Sequence, residues 1–291
     1  MRSIKVNIIH AFADNLKGGN PAGVVLEADE LDNNQKLRIA AKVGLSETAF
    51  VSRSLVSDFK LDFFTPNKQI PHCGHATVAA FSYLKQRGRI AKDTSSKETI
   101  DGTRQIFFDE DLVFMEQRAP EFISLEQRDK EESLQGLKIT NTDLIKGLEP
   151  IIVNTGNNFL IVPVQNEKIL QNLNPNLSVI ERVSKKYNLI AYYVFAPAQS
   201  HEAVATARMF GPYYGIPEEA ATGMAAGPLA CYLHQYNNMM NDELVITQGR
   251  FMYPPSPSRI LIRLEKEDNK IIKLFAGGGA YVEKEFNLEI D

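Results

Sequence analysis

Apolar and polar positions alternate loosely along IKVNIIHAFA (residues 4–13), the period-two pattern of a strand. The cluster GGNPAG follows as a turn, and VVLEA reads as a short second strand. From Asp29 to Val43 the spacing changes. Leu31, Leu37, Ile39, Ala40 and Val43 recur at helical intervals. GLSETAFVSR and DFKLDFFTP return to strand. Thr77 to Lys85 contains no breaker and predicts a helix ending near Gly88. Glu98 to Arg118 reads as strands. Residues 121–136 are charged with little apolar periodicity, so a connection is predicted there.

The second half restarts in the same style. NTGNNFLIVPV reads as turn and strand, and Leu177 to Tyr187 as a helix. LIAYYVFAP and EAVATARMF follow as strands. GPYYGIPEEAATGMAAGPLACYLHQY gives a loop and a helix of small residues. ELVITQG and RILIRLE are strands, FAGGGAYV a glycine-rich turn, and one more strand closes the chain. Two stretches match. Phe64, Pro66, Ile70 and Pro71 correspond to Phe210, Pro212, Ile216 and Pro217. After a short insertion, Cys73, Gly74, Ala76, Tyr83 and Leu84 correspond to Thr222, Gly223, Ala225, Tyr232 and Leu233. The chain therefore reads as an internal repeat. Each half has strands, a proline-containing loop and one small-residue helix that suits packing on all sides.

Composition narrows the function classes. The chain has 291 residues, 44% of them hydrophobic, enough for one large or two medium domains. The net charge of −4 gives no electrostatic case for nucleic acid or an anionic membrane surface. The N-terminus is too short and polar for a signal peptide, and no run is long enough to span a bilayer. Only two cysteines occur, Cys73 and Cys231, which argues against a disulfide framework and for a reducing cytoplasm. His10 falls in the first strand, and Cys231 falls among Leu229, Ala230 and Tyr232, where core packing explains it.

The stretch PHCGHATVAAFSYL (residues 71–84) holds the densest candidate chemistry. His72, Cys73 and His75 are possible metal ligands, but no second Cys or His cluster completes a set with zinc-like spacing. Cys73 also reads as a thiol, reactive where a helix N-terminus lowers its pKa and inert where it is merely buried. The third reading uses the helix start itself. Gly74 permits close backbone approach, and the first N–H groups of a helix offer a carboxylate unpaired donors and a positive dipole end. A second start at Thr222-Gly223-Met224 places a like feature in the other half, and two such starts facing one cleft would hold a small anion. Glu47 supplies a proton-transfer group. Read as a strand, GLSETAFV puts Leu45, Glu47, Ala49 and Val51 on one face, where desolvation raises the carboxyl pKa; the alternative is an edge-strand glutamate in solvent. His75 is the other acid–base candidate, or a histidine that caps its own helix.

Taken in order, GGNPAGVVL, LSETAFV, FTPNKQIPHCGHATVAA and ATGMAAGPLA resemble the PhzF family of phenazine-biosynthesis-type isomerases, within the diaminopimelate epimerase fold superfamily. The resemblance spans residues 4–282. It implies an α+β fold of two pseudo-symmetric domains, each a curved sheet or barrel around a central helix, with the active site between them. The expected domains are 1–118 and 119–291, with the last strand, about 280–291, returning to the first. It implies a homodimer and neither metal nor organic cofactor. Glu47 stands at the family's catalytic glutamate in the LSET motif, and His75 at its GH histidine. Family members commonly read EDPATGSA where this chain reads EEAATGMA, so Glu219 takes an aspartate position and Met224 a serine position. That change bears on the substrate, because methionine donates no hydrogen bond. The backbone N–H groups near Gly223 and Met224 are kept.

The reading is a cofactor-independent isomerase acting on a small anionic metabolite. Glu47 moves the proton, His75 and Glu219 orient the substrate, and Ser46, Cys73, Gly74, Thr222, Gly223 and Met224 bind it. Two rivals stand beside it. One is a Cys73-dependent epimerase or dehydratase-like enzyme, although a two-thiol epimerase is excluded because Thr222 faces Cys73 in the repeat. The other is a small-molecule binding protein without catalysis.

Overall fold

The alternating N-terminal stretch forms strand β1 (Arg2–Ala11), with Ile4, Val6 and Ile8 in one apolar cluster. The computed structural model describes residues 2–290, which divide into two units, one running to Glu116 and resuming at Gly277, the other Gln117–Ala276.

In the first unit β1 is followed by β2 (Asn20–Val25), α1 (Asn33–Val43), β3 (Thr48–Ser52), β4 (Phe59–Phe64), β5 (Gln69–Ile70), α2 (Gly74–Gln86), β6 (Thr94–Thr99), β7 (Gly102–Asp109) and β8 (Leu112–Arg118). The turn expected over GGNPAG ends early, because Asn20 already pairs with Ala11 in β2. The helix expected from Asp29 starts at Asn33. Asp32 accepts from the Gln35 backbone at 2.8 Å and Gln35 Oε1 accepts from the Asp32 backbone at 3.1 Å, a reciprocal cap that contributes on the order of 1 kcal/mol. Gly44 then ends α1 with a left-handed φ of 70°. Leaving the helix uses residues 44–47, so the strand expected from Gly44 begins only at Thr48.

Helix α2 is buried at every residue from Gly74 to Leu84 and packs against β1, β2 and β3. Its small residues allow that enclosure. Helix α1 covers a separate cluster, in which Ile39 and Ala40 meet Val6, Val25, Phe50 and Phe64.

The second unit contains β9 (Glu121–Ser124), α3 (Gln127–Leu137), β10 (Ile151–Asn154), β11 (Asn158–Pro163), α4 (Glu167–Gln171), α5 (Leu177–Tyr187), β12 (Leu189–Pro197), β13 (Ala205–Gly211), β14 (Ile216–Glu219), α6 (Gly223–Tyr236), β15 (Glu243–Gln248), β16 (Ser258–Glu267) and β17 (Lys270–Gly278). Strand β18 (Ala280–Ile290) returns to the first unit and pairs antiparallel with β1. Residues 121–136, expected as a connection, are mostly strand and helix. Helix α3 buries Asp129, Ser133 and Gly136 beside Leu134 and Leu137, so its inner face carries few apolar residues. Ser133 bonds the Asp129 carbonyl and the Tyr192 hydroxyl, which keeps its polar atom paired. The glycine-rich turn expected over FAGGGAYV is extended chain. A Cβ on Gly277 would lie 2.4 Å from the Phe114 ring, so the missing side chain serves strand packing rather than a turn.

The two units share one pairing scheme. β1–β2 antiparallel, β2–β3 parallel, β3–β4 antiparallel, β4–β6 parallel and β6–β7 antiparallel recur as β10–β11, β11–β12, β12–β13, β13–β15 and β15–β16. α6, like α2, is almost wholly buried. The fold is therefore the expected α+β arrangement of two like units, each with a recurring strand scheme and one buried helix. No helix among the described residues is long and apolar enough to cross a membrane.

Candidate active site

Glu47 sits in the turn between α1 and β3, not within a strand, so the shared face with Leu45, Ala49 and Val51 does not exist. Two features hold it. The Gly23 N–H donates to the Glu47 carbonyl at 3.0 Å. A Cβ on Gly23 would lie 2.7 Å from Thr48 Oγ1, so this glycine of the GNPAG motif is what lets β2 run so close to the LSET turn. Ser46 is exposed, and its hydroxyl bonds the Glu47 carboxylate.

Cys73, Gly74 and His75 form the start of α2, all buried. His75 lies between two partners. Its Nε2 is 3.2 Å from Glu47 Oε2, and its Nδ1 is 3.6 Å from Cys73 Sγ. Cys73 and His75 are two residues apart and Glu47 is 28 residues before His75, yet the three make one buried row with the imidazole in the middle.

This row reverses an expectation. Burial pushes the Glu47 carboxyl up, but the adjacent His75 imidazole, with the Ser46 hydroxyl, outweighs it and holds the pKa below the usual value. Burial likewise pushes His75 down, yet Cys73 and Glu47 raise it well above an ordinary imidazole. Both directions favour the carboxylate form of Glu47 and the protonated form of His75. Of the two readings of Cys73, burial favours the inert one. Burial pushes its thiol up, with the Glu47 charge adding and His75 opposing.

The three residues each offer a ligand atom, all within 4.8 Å of one another. The spacing of His72, Cys73 and His75 had not suggested this group, because Glu47 joins it through the fold. The donors fit a proton row better than a metal cradle. The imidazole spends one nitrogen on each neighbour instead of turning one nitrogen toward a point shared with both.

In the second unit Glu219 ends β14, half-buried, and Thr222, Gly223 and Met224 form the start of α6. Gln248, fully buried at the end of β15, holds this segment. Its Oε1 accepts from the Thr222 N–H at 3.1 Å and the Tyr193 hydroxyl at 2.9 Å. Its Nε2 donates to the Glu219 carbonyl at 2.8 Å and to Thr222 Oγ1 at 3.2 Å. All four hydrogen-bonding positions of the amide are used. Next to it, Gly249 has φ +80°, and a Cβ there would lie 2.6 Å from the Ala220 carbonyl, so no other residue fits. Gln117 donates to the Gly223 carbonyl at 2.9 Å. Met224 Sδ, in the place of the family's serine, lies 3.9 Å from Asn157 Nδ2 and accepts from it.

Sequence reasoning missed Gln248, Gln117 and Lys97. Each lies on a strand whose neighbour is far along the chain, and none stands in a recognisable motif. Lys97 on β6 has no exposed surface. Its Nζ donates to Thr77 Oγ1 at 2.6 Å and to His72 Nδ1 at 3.2 Å, beneath the start of α2.

Comparison with known proteins agrees with this picture. The phenazine biosynthesis-like protein family (PhzC-PhzF) matches residues 9–285. An uncharacterised isomerase of Clostridium acetobutylicum is 30% identical over 286 residues, covering 94% of this chain and 95% of that protein. The trans-2,3-dihydro-3-hydroxyanthranilate isomerase of Pseudomonas aeruginosa is 27% identical over 285 residues, covering 95% of this chain and 96% of that protein. Among solved structures, a PhzF-family protein of Bacillus anthracis superposes with a TM-score of 0.91 at 30% identity, with both chains covered completely. A hydroxyproline epimerase of Agrobacterium vitis, at 10% identity and a TM-score of 0.62 over 100% of this chain and 93% of that one, shares the fold.

Proposed function

The chain belongs to the phenazine biosynthesis-like (PhzC-PhzF) family, whose relatives include isomerases, and from that premise we propose that it is an isomerase that relocates a proton on a small carboxylate-bearing metabolite. The observation that carries this reading is the buried Glu47–His75 ion pair at 3.2 Å. Glu47, held as a carboxylate, takes a proton from a carbon acidified by a neighbouring enol or carbonyl. His75, held as an imidazolium, hydrogen-bonds or protonates the oxygen on which charge develops. Glu47 then returns its proton to a different carbon. The start of α2 is the positive end of its helix dipole, which favours the developing negative charge. Glu219, Thr222, Gly223 and Met224 are assigned substrate contacts, and Ser46 orients the Glu47 carboxylate. Acid and base both come from the chain, so the step needs no cofactor. Homodimeric assembly belongs to the same proposal and is checked by light scattering. Both cysteines are free, as a reducing cytoplasm permits.

The test is proton NMR in deuterium oxide with a dihydro-hydroxyanthranilate-type ring acid, comparing wild type with Glu47→Gln. Deuterium uptake and isomerisation are expected to fall by about 10²–10⁴-fold in the variant while ligand binding persists. Wild-type turnover in Glu47→Gln would sink the assignment. The 3.6 Å contact between Cys73 and His75 favours one second reading, chemistry through the thiol. Cys73→Ser separates the two: activity is kept under the first reading and lost under the second.

A further inference from the structure

The shared pairing scheme supplies an internal control for every position near the site. Thr48 pairs with Phe64 as Tyr192 pairs with Phe210, so Glu47 corresponds to Ala191. Phe59 pairs with Lys97 as Ala205 pairs with Ile246, so Lys97 corresponds to Ile246. The aligned helix starts match His72, Cys73, His75 and Thr77 with Ala221, Thr222, Met224 and Ala226. The polar row Glu47–His75–Cys73 and the polar group Lys97–Thr77–His72 therefore occur together in the first unit. Both are replaced in the second, where Lys97, Thr77 and His72 give way to the buried apolar Ile246, Ala226 and Ala221.

Ile246 shows that this fold accepts an apolar side chain at the lysine position. Burying an amine there instead carries a desolvation cost. No carboxylate among the described residues lies within ion-pair reach to offset it. The architecture does not require the lysine, so the site does.

The contacts indicate what it does. Lys97 Nζ donates to His72 and Thr77. Thr77 Oγ1 in turn donates to the Cys73 carbonyl at 2.6 Å. The chain of bonds grips residues 72, 73 and 77, on both sides of Gly74 and His75. We propose that Lys97 is a positioning residue: acting through Thr77 and His72, it sets the backbone at the start of α2 and thereby keeps His75 aligned between Cys73 and Glu47. This rests on the reading of Glu47 and His75 as the acid–base pair. Two donated hydrogen bonds need only a neutral amine. Burial, opposed by Cys73 and assisted by Arg104 on β7, with Asp101 opposing from the β6–β7 turn, lowers the Lys97 pKa to about 7, so the grip survives loss of the third proton.

The experiment follows the imidazole signals of isotope-labelled histidine against pH in the whole protein, with His75 assigned by loss of its signal in His75→Gln. It needs no substrate, so it reads Lys97 even if the proposed isomerisation is never detected. Thermal melting checks that each variant is folded. Lys97→Met keeps the length of the side chain and removes the donor. Thr77→Ala keeps the lysine, breaks its link to Cys73 and reproduces Ala226. The expected result is that both lower the His75 midpoint by roughly half a pH unit or more, because the alignment that raises it is loosened. Removing a cation without loosening anything would move the midpoint up instead. An upward move, or an unchanged midpoint in folded protein, overturns the proposal. Should Lys97→Met not fold, Thr77→Ala decides by the same criterion.

Discussion

Glu47 shows how one neighbour reverses the effect of burial on a carboxyl group. A carboxyl in an apolar site is expected to hold its proton, and desolvation is indeed the largest single influence on Glu47. The imidazolium 3.2 Å away nevertheless outweighs it when joined by the Ser46 hydroxyl. In the proposed reaction the group therefore acts first as a base, not as an acid. Replacing His75 by Gln removes the cation and leaves burial opposed only by Ser46. The Glu47 midpoint is then expected to rise by about one pH unit or more, on the order of 1.4 kcal/mol, read from the side-chain carbon shift of labelled glutamate. A midpoint still below the ordinary value would show that His75 is not the group that holds it down.

At the scale of elements, each buried small-residue helix is placed by strands around it rather than by its own caps. Neither Cys73 nor Thr222 makes a side-chain cap to its helix. Lys97 on β6 grips the start of α2, and Gln248 on β15 grips the start of α6. Gln248→Leu keeps much of the volume but leaves the Thr222 N–H and the Glu219 carbonyl without these partners. A loss of about 1–3 kcal/mol is expected, seen as a lower urea midpoint. Weakened substrate binding should accompany it if Glu219 and Thr222 contact the substrate. A Gln248→Leu protein as stable as wild type would mean that the loop finds other partners.

For the whole molecule, the two perturbed cations pull the pH dependence of stability in opposite directions. The folded chain releases the Lys97 proton near pH 7 while the unfolded chain keeps its own to about 10.5, so this group adds stability as pH rises through that window. His75 has a raised pKa when folded. Its contribution is complete below about 6.5 and is lost as pH climbs through the folded value. Lys97→Met removes the first effect and, by lowering the His75 midpoint, only narrows the second. Between about pH 7 and 10, the variant should therefore lose stability relative to wild type as pH rises, measured by urea denaturation at a series of pH values. Parallel curves for the two proteins would show that Lys97 does not titrate in this range.

Much of the architecture was legible in the chain because repeats and periodicities are local. The matched pair Phe64–Leu84 and Phe210–Leu233 announced the two like units, and Leu177–Tyr187 reads as a helix in sequence and structure alike. The motifs LSET and CGHAT marked Glu47, Cys73 and His75. Elements whose inner face is polar were not legible, and α3, with Asp129 and Ser133 buried, is the example. What the sequence determined by itself was the order of the apolar-patterned elements, the repeat, and the residue types available for acid–base chemistry. Only the tertiary structure decided their states. Glu47 is 28 residues from His75 and acquires its charge partner through chain reversal. Lys97 and Gln248 meet the helix starts through parallel strand pairing, and such pairing joins segments that share no local pattern.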